Sequence, residues 1–170
     1  MNATVASLTS RSLLGRKRTL VLLLLPLALL GLSLLARVLA GMDPEIAREL
    51  DGPLAPNLLG AFGIAILMPL LSLIAGTGSI GPEIDEGSIV YLLAKPLNRY
   101  SIVVTKLAVA IAVVVAFGVV PVAIAGVILT GSVAEVTVAF TLGALAAGIA
   151  YASLFLLLAV VTRNAVVVGL

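Results

Sequence analysis

The chain has 170 residues, 62% of them hydrophobic and only 11% charged, with a formal net charge of +2 and a mean hydropathy of +1.30. So little polar surface excludes a water-soluble globule and makes the surrounding solvent lipid. There is no Cys and no His, which excludes disulfides, thiol nucleophiles and a Ser-His-Asp triad, and with few carboxylates leaves no metal-ligand set.

Residues 1–18 form a basic N-terminus in which Arg11 precedes the cluster Arg16, Lys17 and Arg18. Val5, Leu8 and Leu13 mark a weak apolar stripe, which reads either as an interfacial helix or as an electrostatically anchored tail. Cations ahead of an apolar run also suit a secretory signal. The run 19–40, however, is longer than a usual signal core and ends in Ala36, Arg37 and Val38, so it reads as a retained first span. The sequon at Asn2 to Thr4 is inert on the inside of a membrane. A basic cluster without aromatic partners does not make a nucleic-acid surface, and none is expected as a partner.

Three further uncharged or nearly uncharged runs follow, at 57–79, 107–130 and 136–162. Each is long enough to cross a bilayer, since roughly 20 residues at about 1.5 Å rise cover a ~30 Å hydrocarbon core. Backbone groups in lipid must satisfy one another, and the runs lack strand alternation, which leaves helices. The expected fold is all-α: one polytopic transmembrane helical bundle over residues 1–170. It has four complete spans, an interfacial cytoplasmic helix in a loop at 81–106 between spans two and three, and the start of a fifth span at 165–170.

Cations beside spans stay on the cytoplasmic side. An inside N-terminus places Arg11, Arg16, Lys17, Arg18, Lys95, Arg99, Lys106 and Arg163 inside and leaves only Arg37 and Arg48 outside. Arg16, Lys17, Arg18, Lys106 and Arg163 are thus the topology anchors, and Asp43, Glu45, Glu49, Asp51 and Glu135 fall in outer loops.

No titratable group lies at mid-membrane, where a charge costs roughly 2.5 to 3.5 kcal/mol. Arg37 is close enough to the outer end of its span to snorkel. Ion-coupled transport has no residues to run on, and no catalytic residue is expected. Small residues recur at four-residue spacing: Ala108, Ala112 and Ala116 in the third span, and Ala139, Gly143 and Ala147 beside Ala144, Gly148 and Ala152 in the fourth. Such stripes let helices approach closely, and packing within the chain is the favoured use over a dimer or pore-lining face. Pro69 and Pro121 predict kinks, because each frees a carbonyl of the preceding turn. The run Gly76 to Gly81 satisfies G-x-G-x-x-G, but a dinucleotide site needs a preceding strand and a later carboxylate. The glycines are expected instead to end the second span in a sharp turn.

In the loop, Pro82 suits a first helical position; Glu83, Asp85 and Glu86 complement the positive end of a short helix, Lys95 complements its negative end, and Pro96 stops it. Ile89, Leu92 and Leu93 give an apolar side for the membrane. A partner-docking surface and an ordinary solvated interfacial helix both fit this pattern.

The run from Glu83 to Arg99, followed by Lys106, resembles the first cytoplasmic loop of ABC transporter permeases of the type-2 exporter (ABC-2) family. That pattern is an acidic residue, a Gly, an apolar stretch, a Pro, an Arg and a Lys entering the third span. Here those places fall to Glu86, Gly87, Leu92 with Leu93, Pro96, Arg99 and Lys106. The basic segment Leu14 to Arg18 is also similar to the family's interfacial helix ahead of the first span. The resemblance implies a plasma-membrane permease half, N-terminus cytoplasmic, that pairs with a second permease subunit as a homo- or heterodimer. Through Glu83, Ile84, Asp85, Glu86, Gly87, Lys95, Pro96 and Arg99 it docks a separate nucleotide-binding ATPase subunit, and substrate leaves when those subunits close on ATP. The chain carries no G-x-x-x-x-G-K-[ST] phosphate loop, so ATP and Mg belong to the partner and no cofactor is expected on this chain. Such permeases usually have six spans, and on that comparison the chain is expected to be C-terminally truncated. The alternatives are a non-transporting anchor or assembly protein that recruits a cytoplasmic partner, and an inactive permease remnant.

Overall fold

The computed structural model describes the backbone of residues 16–85, 99–133 and 135–161, and the side chains of 22–78, 103–133 and 135–161. Among the described residues the chain is helical almost throughout and has no strand. Helix α1 covers Arg16–Ala40 and α2 covers Pro44–Glu49; the return continues through Leu50–Leu54, α3 (Ala55–Asn57) and Leu58–Leu67 into α4, Met68–Asp85. Helix α5 (Arg99–Val114) passes through Val115–Val119 into α6, Val120–Thr130, and α7 covers Glu135–Val161. Four stretches of this path are long and apolar enough to cross a membrane: Leu22–Ala40, Pro44–Gly78, Val103–Thr130 and Glu135–Val161. The expectation of an all-α polytopic bundle holds.

The turns that reverse the chain follow local rules. Asp43 is extended (φ −129°, ψ 118°) and its carboxylate accepts the Glu45 N–H at 2.8 Å, so it caps α2, with Pro44 in the first helical turn, Glu45 near the positive end and Arg48 near the negative end. Residues 43–51, read from sequence as loop, are therefore mostly helix, and the return span starts well before position 57. At the other hairpin, Gly131 sits at φ 73° and donates its N–H to the Val127 carbonyl at 2.8 Å, the left-handed cap that ends α6. Thr130 Oγ1 holds the same turn closed: it lies 2.7 Å from the Ser132 carbonyl and 3.2 Å from Thr137 Oγ1 on α7.

The two mid-span prolines act as expected, with a specific outcome. Leu58–Leu67 and Val115–Val119, the stretches just ahead of Pro69 and Pro121, are π-helical. Met68 N–H reaches back five residues to the Gly63 carbonyl, and Val120 N–H reaches the Val115 carbonyl. Proline supplies no N–H, and the widened turns sit directly ahead of each missing donor. In lipid, where water cannot take over, the helix continues through both prolines. A third break lies at Gly52 (φ −102°, ψ −118°), where the path bends immediately before Pro53.

The spans then pack through missing side chains. The α4 helix lies chiefly against α7 and α5, while α1 lies against α6. Met68, fully buried, fills the space between spans three and four: its Sδ is 2.9 Å from the point a Cβ would occupy on Gly118, and its Cε is 2.7 Å from that point on Gly148. Gly76 faces the backbone of Phe155 and Leu156, where an added Cβ meets atoms at 2.9 to 3.2 Å. Ala144, Gly148 and Ala152 are all buried, so this stripe packs inside the chain, whereas Ala112, Ala116 and Ala139 are exposed.

Gly76→Ala is expected to destabilise the protein by about 1 to 3 kcal/mol, because the opposing atoms are the Phe155 Cβ and the backbone of Phe155 and Leu156, which cannot rotate away. Gly31→Ala, with nothing within 4 Å of the new methyl, is expected to be neutral or slightly stabilising. Thermal unfolding of both variants in detergent measures the contrast, and equal losses would refute the packing.

Candidate functional site

At the end of the bundle where α4 finishes and α5 begins, the structure reaches part of the sequence-predicted docking set. Glu83, Ile84 and Asp85 form the last turn of α4, and Arg99 is the first residue of α5. Arg16, Lys17 and Arg18 open α1. Glu86, Gly87, Lys95 and Pro96, the apolar positions Ile89, Leu92 and Leu93, and the anchor Arg163 lie outside the described residues.

Two expectations change here. The glycines from Gly76 to Gly81 do not end the second span: α4 runs unbroken through them and through Pro82 to Asp85. Close contact with α7 is why glycine stands at position 76, and unpaired backbone is costly in lipid, so the helix continues. The dinucleotide reading fails with it, since these residues form neither a strand-to-helix turn nor a phosphate loop. Secondly, no separate short helix starts at Pro82: Glu83 and Asp85 continue the helix that begins at Met68.

Polar groups also lie inside the bundle. Lys106 is 2% exposed and Thr105 1%, both on α5 and both engaged in polar interactions. The sequence reading treated Lys106 as a cation beside the span; its side chain is covered by protein. Ser33 on α1 is buried and satisfies itself by donating to the Leu29 carbonyl at 2.8 Å. Ser72 on α4 is fully buried, and its hydroxyl has no hydrogen-bond partner. Among the described residues no group of three or more carboxylates is gathered to hold a metal ion.

At the opposite end, Arg37 in the last turn of α1 donates to the Leu129 carbonyl of α6 at 3.5 Å, so a cation meets the negative end of a neighbouring helix. Its guanidinium also lines a cleft of about 240 Å³ with Ala40, Gly41, Ala47 and Asp51. The sequence marked Arg37 as a snorkelling residue and Asp51 as an outer-loop charge but not their pairing, because 14 positions separate them and only the α1–α2 turn brings them to one cleft.

A family model described as ABC-2 family transporter protein matches residues 3–169. The chain belongs to the ABC-2 transporter family. The comparisons with curated proteins and with solved structures returned no match. Membership agrees with the loop pattern and with the four membrane-crossing stretches, and it makes this ABC-2 protein a multi-pass component of membrane transport.

Ser72→Ala removes a buried, unpartnered hydroxyl and is expected to raise stability by about 1 kcal/mol. A fall in unfolding temperature would show instead that the hydroxyl holds a bound group.

Proposed function

We propose that this ABC-2 protein is the membrane-spanning permease subunit of an ATP-driven exporter in the plasma membrane. Its N-terminus and its 81–106 segment face the cytoplasm, and a separate nucleotide-binding ATPase subunit docks on that segment. The observation that carries the reading is the family match over residues 3–169, joined to the charges at the α4–α5 connection. The sequence puts Glu83, Asp85, Glu86, Lys95 and Arg99 between the second and third spans, and charges gathered there suit a partner of complementary charge. The positive-inside bias favours the same end as cytoplasmic, with eight cations against two.

The division of labour follows from the residues. Without a phosphate loop in its sequence, the chain contributes a path and a mechanical coupling, while ATP and Mg are handled by the partner. Force applied at the α4–α5 connection reaches the bundle through two continuous helical paths. Each carries a π-helical stretch at mid-span, where backbone hydrogen bonds are already shifted and bending is easiest. Movement of the docked subunits thus becomes a change in the angle between the two halves of spans two and three. A second permease subunit completes the path across the membrane.

Reversing Glu83, Asp85 and Glu86 together to Lys is expected to reduce co-purification of the ATPase subunit at least tenfold, while membrane insertion is unchanged. Undiminished co-purification sinks the docking assignment. A single Cys placed at position 86 is expected to react with an impermeant maleimide only after the cytoplasmic face is opened; labelling in intact cells would invert the topology.

A further inference from the structure

We propose that the cleft between Arg37 and Asp51 binds the zwitterionic headgroup of an aminophospholipid, phosphate toward Arg37 and ammonium toward Asp51. The proposal rests on the chain lying in a bilayer and does not depend on the exporter reading.

The cleft sits where a headgroup sits. Arg37 belongs to the last turn of α1, at the end of the crossing stretch Leu22–Ala40, and Asp51 follows the first helix of the return path. Leu34, Leu35, Val38 and Leu39 on the same turns of α1 are exposed, so acyl chains have apolar surface alongside. At roughly 30 Å³ per liquid water, a cleft of about 240 Å³ takes on the order of eight non-hydrogen atoms, the size of a phosphoethanolamine group. Its remaining walls, Ala40, Gly41 and Ala47, are small and leave that space open. A second cleft of about 190 Å³ shares Asp51 and continues over Leu50, Ala55, Pro56 and Val136, an apolar extension suited to the glycerol end of the lipid.

The charges on its walls select the ligand. Arg37 and Asp51 line one cleft yet, among the described residues, form no ion pair: Arg37 makes the long bond to Leu129 and Asp51 makes no polar contact. Two opposite charges that share a cleft without neutralising each other fit a ligand that carries both signs. The guanidinium fork matches a phosphate. A primary ammonium has three donors for the carboxylate, while a quaternary one has none and needs an aromatic cage, which this cleft lacks. An anionic headgroup without an amine meets Asp51 as a like charge. The order of preference is therefore phosphatidylethanolamine above its N-methylated forms, with phosphatidylcholine and phosphatidylglycerol last.

The full chain, reconstituted in vesicles of equal phosphatidylethanolamine, phosphatidylcholine and phosphatidylglycerol, is extracted in mild detergent and its retained lipid counted by native mass spectrometry. Phosphatidylethanolamine is expected to be enriched about tenfold, the effect of one charge-assisted hydrogen bond. Stepwise N-methylation of the lipid is expected to lower retention with the wild-type protein alone, so the test does not require any variant to fold. Asp51→Asn is expected to abolish the preference for ethanolamine over choline, and Arg37→Gln to lower retention of both. Arg48→Gln, an exposed charge outside the cleft, is expected to change neither. Equal retention of the three lipids, indifference to N-methylation, or displacement by soluble phosphoethanolamine at the same concentration overturns the proposal.

Discussion

A bilayer interior contains no water to satisfy a carbonyl that proline has left without its donor, and this deficit governs the shape of the bundle. Pro69 and Pro121 stand inside two neighbouring spans, and each is preceded by a stretch wound one residue wider. At both places the helix continues through the proline, since a helix that simply broke would expose polar backbone to hydrocarbon. Everything packed around those stretches has to accommodate a larger helical radius. Gly63 against Val122 and Gly118 against Met68 are positions where the neighbour's side chain occupies the place of an absent one.

Met68 is the residue that joins these adjustments. It takes part in the shifted hydrogen bond at the end of Leu58–Leu67, precedes Pro69, and sends a flexible thioether between Gly118 and Gly148. An unbranched, polarisable side chain suits a junction that has to hold under small changes of angle, since it refills space that a branched residue would vacate or overfill. The rest of the contact between α4 and α7 is tighter: at Gly76 the two backbones nearly touch. The bundle thus combines one close, unyielding contact with one adaptable centre.

Hydropathy alone located the four spans, since lipid imposes the same demand on every residue of a crossing segment. The kinks at Pro69 and Pro121 were legible because proline's missing donor is a local fact, and the internal stripe Ala144, Gly148 and Ala152 because its spacing puts it on one face. The helix at Pro44–Glu49 was hidden by its charges, although Asp43, Pro44 and Glu45 spell a capped start; acidic composition was read as loop when it was a first turn. The glycines around position 76 misled for the opposite reason. In water glycine ends helices, but in lipid the helix persists and the glycine marks a contact with a partner that is 79 residues away in the chain, Phe155. Of the predicted docking residues, Glu83, Ile84, Asp85 and Arg99 fall on described backbone, the first three as a continuation of α4 that glycine and Pro82 do not interrupt. The pairing of Arg37 with Asp51 across one cleft depends on a reversal that only three dimensions supply.

The first helix carries a different lesson. Between Leu22 and Ala40 the buried positions are Leu22, Pro26, Leu29 and Ser33, a narrow seam flanked by half-buried Leu25, Leu30, Ala36 and Ala40, with the remaining circumference uncovered. Most of that helix answers to acyl chains alone. Substituting one aliphatic residue for another around its outer circumference leaves protein contacts untouched, and the thickness of the surrounding membrane decides how far it leans. A rod fastened along one line rolls about that line, so this segment, rather than the glycine-locked pair behind it, is where a change of lipid is first felt as a change of protein.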